Sequence, residues 1–270
     1  MLHQIPLYLI TGCAAGYLAG LFGVGGGIII VPILVILFKA SGMSPTVLMP
    51  LAIGTSMAIV SVTSLMGARA HHANGNVDWR NTRQLLPVVL LGVVAGALLG
   101  SYIPHGFLTG CVISFELGVA ALFLSQAVRK SGHEETSSKT AMPQARMLAI
   151  SSILGLVSSV VGIAGGTLFV PFLSFCGVGL RKAIGTATAL GAPLSLVAAF
   201  VYVMTGSLGS QALPPYSLGY VYLPAFLGCV IGGIWTTKHG AMLGLKLRLR
   251  MLKLSFALIL LGAAGKMLFI

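Results

Sequence analysis

The chain has 270 residues, 57% of them hydrophobic and only 7% charged, with a mean hydropathy of +1.01 and a net charge of +12. This composition excludes a water-soluble domain built around one aqueous core, and the apolar runs of about 18 to 25 residues match helical spans of a hydrocarbon layer about 30 Å thick. The runs lack the period-two alternation of a transmembrane barrel, so the fold class expected is an all-α integral membrane protein; the sixteen Lys and Arg sit in short clusters between runs, as orientation signals rather than a nucleic-acid surface.

In chain order the apolar elements are 5–22, 26–39, 45–68, 84–103 and 107–127, then 148–161, 165–176, 183–204, 219–236 and 251–270. Between the two sets lies RKSGHEETSSKTAMPQAR, residues 129–146, which holds two of the four acidic residues and reads as a solvated, cytoplasmic linker. The expected organisation is a first transmembrane repeat at 1–128 and a second at 147–270. No cleavable signal peptide is expected, because the opening MLHQ carries no Lys or Arg and the apolar sequence continues past any small-residue cleavage site. The four cysteines, Cys13, Cys111, Cys176 and Cys229, have neither CxxC nor metal-ligand spacing and read as small packing residues.

The most informative stretch is GLFGVGGGIIIVP, Gly20 to Pro32, inside a segment with no charged residue from Leu7 to Phe38. Glycine costs about 1 kcal/mol relative to alanine in a helix interior, so Gly25, Gly26 and Gly27 in succession predict a helix break at membrane depth. Such breaks persist only where the freed backbone groups are buried in protein or face a hydrated cavity. A second copy, GIAGGTLFVPF, matches Gly23, Gly26, Gly27, Val31 and Pro32 with Gly162, Gly165, Gly166, Val170 and Pro171, while Ala164 replaces Gly25. The correspondence extends to Ala52-Ile53-Gly54-Thr55 with Ala183-Ile184-Gly185-Thr186, to Leu86-Pro87 with Leu223-Pro224, and to Gly92 and Gly96 with Gly228 and Gly232.

Equivalent loops carry opposite charge signals. Residues 69–83 hold Arg69, Arg80 and Arg83 where 205–218 hold no Lys or Arg, and 103–107 hold none where 238–250 hold Lys238, Lys246, Arg248 and Arg250. Two repeats of inverted topology are therefore expected, each with a glycine-broken re-entrant or short-helix pair plus three full transmembrane helices. A four-plus-four parallel arrangement is the alternative. Glycines spaced by four, such as Gly12, Gly16 and Gly20 or Gly92, Gly96 and Gly100, are close-packing signals first.

A helix that starts inside the membrane presents unpartnered N–H groups and a partial positive charge, and holds an anion without a basic side chain. The substrate-binding residues expected on this ground are Gly25, Gly26, Gly27, Thr55, Ser56, Gly165, Gly166, Thr167, Thr186 and Thr188, gathered around one central site. The competing reading is close helix packing for the glycines and, for each hydroxyl, a bond back to its own helix. Glu116 lies within a span, where a carboxylate must be protonated or paired; it is a candidate for proton coupling, with a pairing to Lys253 as the structural alternative. Arg69, His71 and His72 read as a positive-inside anchor, and Lys266 as a side chain that snorkels to the opposite surface.

Enzyme motifs fail: GVGGG lacks the Lys and spacing of a P-loop, the dinucleotide fingerprint meets Ile28 where its third glycine belongs, and HExxH and GxSxG are absent. No catalytic residue, metal or cofactor is expected. The doubled motifs GLFGVGGGIIIVP and GLVSSVVGIAGGTLFVP, each followed by a Gly-Thr helix (AIGTSMA, AIGTATA), resemble the TauE/SafE family of sulfite exporters and sulfonate-related anion permeases over essentially the whole chain. That resemblance implies a multi-pass protein of the bacterial cytoplasmic membrane carrying a small anion such as sulfite, sulfoacetate or another sulfur-containing organic anion, with a coupling ion, proton or sodium, as a further partner. An anion channel of the same architecture, and a membrane-embedded enzyme or receptor-like binding protein, are the alternatives.

Overall fold

A computed structural model describes residues 5–22, 26–128, 143–163, 165–209, 211–244 and 249–268. Within them the chain forms α1 (Ile5–Phe22), α2 (Gly27–Ala40), α3 (Pro45–Ala73), α4 (Trp79–Tyr102), α5 (His105–Val128), α6 (Gln144–Val161), α7 (Gly166–Phe175), α8 (Leu180–Leu208), α9 (Leu223–Gly244) and α10 (Leu249–Leu268). Over the described residues α3, α4, α5, α6 and α8 are long and apolar enough to cross a membrane. The helices that follow the glycine motifs, α2 with 14 residues and α7 with 10, are short. At 1.5 Å per residue they reach about 21 and 15 Å, less than the hydrocarbon thickness of about 30 Å, as the helix breaks predicted.

The polypeptide departs from the sequence expectation at several helix starts, α6 beginning at Gln144 rather than 148 and α8 at Leu180 rather than 183, and for two others the reason is visible. Helix α4 begins at Trp79 rather than 84, because Asp78 caps it: its carboxylate accepts the N–H groups of Arg80 at 3.1 Å and Asn81 at 3.2 Å. Helix α9 begins at Leu223 rather than 219. Ahead of it β1 (Ser217–Leu218) and β2 (Val221–Tyr222) form an antiparallel hairpin, with Ser217 opposite Tyr222 and Leu218 opposite Val221. Positive φ angles at Tyr216 (66°) and Gly219 (52°) turn the chain there, and Pro224, in the first helical turn, is compatible with a helix that starts beside it.

The most extensive helix interfaces join residues of opposite halves: α1 with α9, α4 with α6, α3 with α8, and α5 with α10. In the first of these Gly12 lies against the Cys229 backbone and Gly16 against Gly233, so α1 and α9 run in the same direction. Helices α4 and α6 do likewise, with Gly92 against Ser152, Gly96 against Leu156 and Gly100 against Val160. Helices α3 and α8 run antiparallel, since Gly54 meets Tyr202 while Gly67 meets Thr188. Gly228 and Gly232, the sequence counterparts of Gly92 and Gly96, face Tyr8, Leu9 and Cys13 of α1. The small residues at four-residue spacing thus bring backbones into contact where apolar burial offers no net drive between helices in lipid. The buried interior is lined by α2 and α3, from Ile28 to Phe38 and from Val47 to Val60, together with Phe169, Leu190, Leu194 and Tyr202.

This packing predicts a contrast between two glycines. A Cβ on Gly96 would collide with the Leu156 carbonyl and Ser159, whereas one on Gly118 meets nothing within 4 Å. Thermal unfolding in detergent should therefore show Gly96→Ala destabilised by about 1–3 kcal/mol and Gly118→Ala neutral or stabilised by up to about 1 kcal/mol. Equal effects at the two positions would contradict the interface.

Candidate functional site: the second glycine turn

Helix α6 ends at Gly162, whose φ of 81° turns the chain out of the helix. The N–H groups of Gly162 and Ile163 both donate to the Ser158 carbonyl, at 3.1 and 3.0 Å. The turn's own carbonyls are also taken. Ser56 Oγ, from α3, donates to the Gly162 carbonyl at 3.1 Å, and Ser158 Oγ donates to the Ile163 carbonyl. Both serines are fully buried.

Beyond this turn α7 starts at Gly166, and its first internal bonds run from Leu168 and Phe169 N–H to the Gly165 carbonyl at 3.2 and 2.7 Å. The N–H groups of Gly165, Gly166 and Thr167 precede any carbonyl that the helix could offer them. In the same turn Thr167 Oγ1 is buried without a hydrogen-bond partner among the described residues, the residue being 7% exposed. No charged residue lies between Arg146 and Arg181, so what positive potential this segment itself supplies comes from backbone dipoles. The result is a buried helix start with a hydroxyl in its first turn, preceded by two carbonyls, those of Gly162 and Ile163, that serine hydroxyls already engage.

The first turn is not an equal copy. Gly25 lies outside the described residues. Gly26, with φ 80°, caps α2 beside Ala15 and Ala19, and its carbonyl accepts from Ile29 and Ile30 at 3.1 and 3.2 Å. Gly27 begins α2 and is buried, and the residues after it are Ile28, Ile29 and Ile30, without a hydroxyl. The two turns nevertheless pack close together: the open face of Gly162 lies against Val31 of α2 and Ile53 of α3, and Val31 is about 7.5 Å along α2 from Gly26 at 1.5 Å per residue.

Of the hydroxyls expected around one centre, the structure brings Ser56 and Thr167 to the second turn and sends the others elsewhere. Thr55 Oγ1 donates to the Leu51 carbonyl at 2.6 Å and accepts the Tyr222 N–H at 2.9 Å. Thr186 Oγ1 accepts the Asp78 N–H at 3.0 Å. Thr188 Oγ1 donates back to Ile184 at 2.7 Å, its methyl group facing Gly67. Thr55 and Gly67 are twelve residues apart on α3, about 18 Å along the axis, so Thr55 and Thr188 cannot share one small solute. Within the cluster of hydroxyls expected from sequence, Ser56 and Thr167 therefore belong to the turn, while Thr55 and Thr186 bond other segments on either side of it, the Ala187 carbonyl between Thr186 and Thr188 lying beside Gly165.

Glu116 is 1% exposed, on α5, with Oε2 unpartnered among the described residues; the Lys253 side chain lies outside them. His72 accepts from Trp79 Nε1 at 3.1 Å, ring to ring, which fits an anchoring role at the α3–α4 connection. Reasoning from sequence missed Ser158, although its spacing of four from Gly162 within GLVSSVVG places its hydroxyl beside the end of α6.

Replacing Thr55 by Val keeps its shape but strands the buried Tyr222 N–H. Unfolding measurements should show a loss of about 1–3 kcal/mol, with a smaller loss for Thr188→Val, whose hydroxyl only bonds back to its own helix. The reverse order would contradict the assigned partners.

A family model described as sulfite exporter TauE/SafE matches residues 8–267. A Haemophilus influenzae protein named "Probable membrane transporter protein" is 35% identical over 270 residues, covering 99% of each chain. A similarly named protein of Methanocaldococcus jannaschii is 24% identical over 261 residues, 97% of this chain and 94% of its own. No solved structure matches the chain. With a buried helix start at its centre and a family match across nearly its whole length, the chain belongs to the TauE/SafE sulfite exporter family and is a multi-pass membrane transporter.

Proposed function

We propose that the protein is a secondary transporter of a small anion, sulfite or an organosulfonate such as sulfoacetate, held at the N-terminus of α7. The observation that carries this reading is the buried Thr167 hydroxyl, unpartnered among the described residues, beside the first N–H groups of α7 and following a turn whose carbonyls are engaged by Ser56 and Ser158. A sulfur oxyanion brings several acceptor oxygens, which matches a helix start that offers backbone N–H groups and a hydroxyl. Helix N-termini favour anions by about 0.3–1 kcal/mol, and by up to about 2 kcal/mol where partly buried, so binding is reversible, as a carrier requires. The first turn contributes the N–H groups after Gly26 and Gly27 but no hydroxyl, and Gly165, Gly166 and Thr167 dominate.

Transport by alternating access follows from two halves of inverted topology, 1–128 and 147–270. The reading is supported by the antiparallel crossing of the equivalent helices α3 and α8, and by the matched, same-direction pairs α1 with α9 and α4 with α6. With successive helices alternating in direction, every Lys and Arg among the described residues except Lys39 and Lys266 falls on the side of the α3–α4 connection, which supports reading that side as cytoplasmic. Glu116, a buried carboxyl on α5, is the group proposed to carry a coupling proton.

Two measurements test these assignments. Thr167→Val removes a hydroxyl that has no partner among the described residues, so the fold should lose no stability, while the stabilisation of about 2.7 kcal/mol expected from anion at a hundredfold excess over Kd should need about tenfold more anion. Retained affinity, or loss of stability without loss of affinity, would remove Thr167 from the site. In proteoliposomes, exchange of labelled against unlabelled anion marks a carrier and uninterrupted conductance a channel. Glu116→Gln should keep that exchange but lose accumulation driven by a pH gradient; accumulation at wild-type level would exclude Glu116 as the coupling group.

A further inference from the structure

The two Gly-Thr motifs make the same unusual contact at opposite ends of the α3–α8 crossing. At one end the bare face of Gly54 meets the Tyr220 carbonyl, and Thr55 Oγ1 accepts the N–H of Tyr222 at 2.9 Å. At the other end the bare face of Gly185 meets the Asn76 carbonyl, and Thr186 Oγ1 accepts the N–H of Asp78 at 3.0 Å. In each, the carbonyl belongs to the residue two before the donor. Each also joins the third helix of one half to the connection that precedes the fourth helix of the other.

Neither contact tolerates a side chain at the glycine, and Thr55, Thr186 and Tyr222 are all but fully buried. The surroundings differ. Tyr222 is wedged between Tyr8 and Phe38, at ring separations of 6.2 and 5.5 Å, whereas Asp78 continues directly into the capped start of α4. Each joint is held by one neutral N–H to hydroxyl bond, which is weak enough to break during a working cycle.

We infer that these joints are a reciprocal pair of gates: the Thr55 joint closes one end of the α3–α8 crossing, the Thr186 joint the other, and each accessible state breaks one while keeping the other. The inference rests on the alternating-access reading above. Because each joint spans the two halves, a rocking of one half against the other about their crossing separates the partners at one end and compresses them at the other. The conformation with both joints made is the occluded intermediate between the two open states.

The joints report through their own amides. In hydrogen-exchange mass spectrometry of the protein in nanodiscs without added anion, Thr186→Val should speed exchange at residues 76–80 about fivefold, the loss of one hydrogen bond. It should also slow exchange at 220–222, the far joint, because the open population at that end falls. Thr55→Val should give the mirror-image result, and Thr→Ser at either position, which retains the acceptor oxygen, should return the wild-type pattern. A far joint that stays unchanged, or two joints that loosen together, would overturn the inference and leave the motifs as static pegs. The anion site is untouched by this outcome, since neither the variants nor the conditions involve Thr167 or a bound anion.

Discussion

A chain that interrupts a helix inside a bilayer must find a partner for every backbone group the interruption releases, and this requirement shapes the centre of the molecule. In lipid an unsatisfied amide costs several kcal/mol. The second turn meets the demand unevenly. Its carbonyls at Gly162 and Ile163 receive hydroxyls from Ser56 and Ser158, one from the opposite half of the chain and one from its own helix. The N–H groups that follow have no such arrangement. On the proposed reading this imbalance is what lets the turn hold an anion without a buried Lys or Arg.

The rest of the architecture keeps that turn buried. Close glycine contacts bind α1 to α9 and α4 to α6, so each half holds the first helix of the other. Between these pairs the antiparallel α3 and α8 meet; Ser56 lies on α3, one residue from the Thr55 joint. The serine that bonds the turn and the Thr55 joint are thus adjacent on one helix, which on the proposed reading gives a mechanical route from the site to one end. The inequality of the turns has a chemical origin too: Ile28 in α2 stands where Thr167 stands in α7, and only the latter adds a hydroxyl donor.

Much of this was legible in the sequence because membrane spans and small-residue spacings are local signals. The ten apolar elements and the short helices after each glycine motif follow from run length and glycine position alone. The start of α4 was hidden because the cap at Asp78 lies outside the apolar run. The hairpin before α9 was hidden because Tyr220, Val221 and Tyr222 are as apolar as the helix they precede. The roles of Thr55 and Thr186 were not legible at all: their donors lie 167 and 108 residues away, and the motif AIGT reads equally well as a ligand contact. Chain order says nothing of which hydroxyls converge, and the antiparallel crossing of α3 and α8 is what carries them apart.

The central claim is that backbone amides at the start of α7, rather than a basic side chain, hold the anion. It is tested most directly by backbone amide NMR of glycine-15N-labelled protein titrated with sulfite or sulfoacetate. The account predicts saturable shifts at Gly165 and Gly166, with Gly106 and Gly118, which have no close neighbours, unmoved. Saturable binding that leaves the Gly165 and Gly166 resonances in place would contradict it.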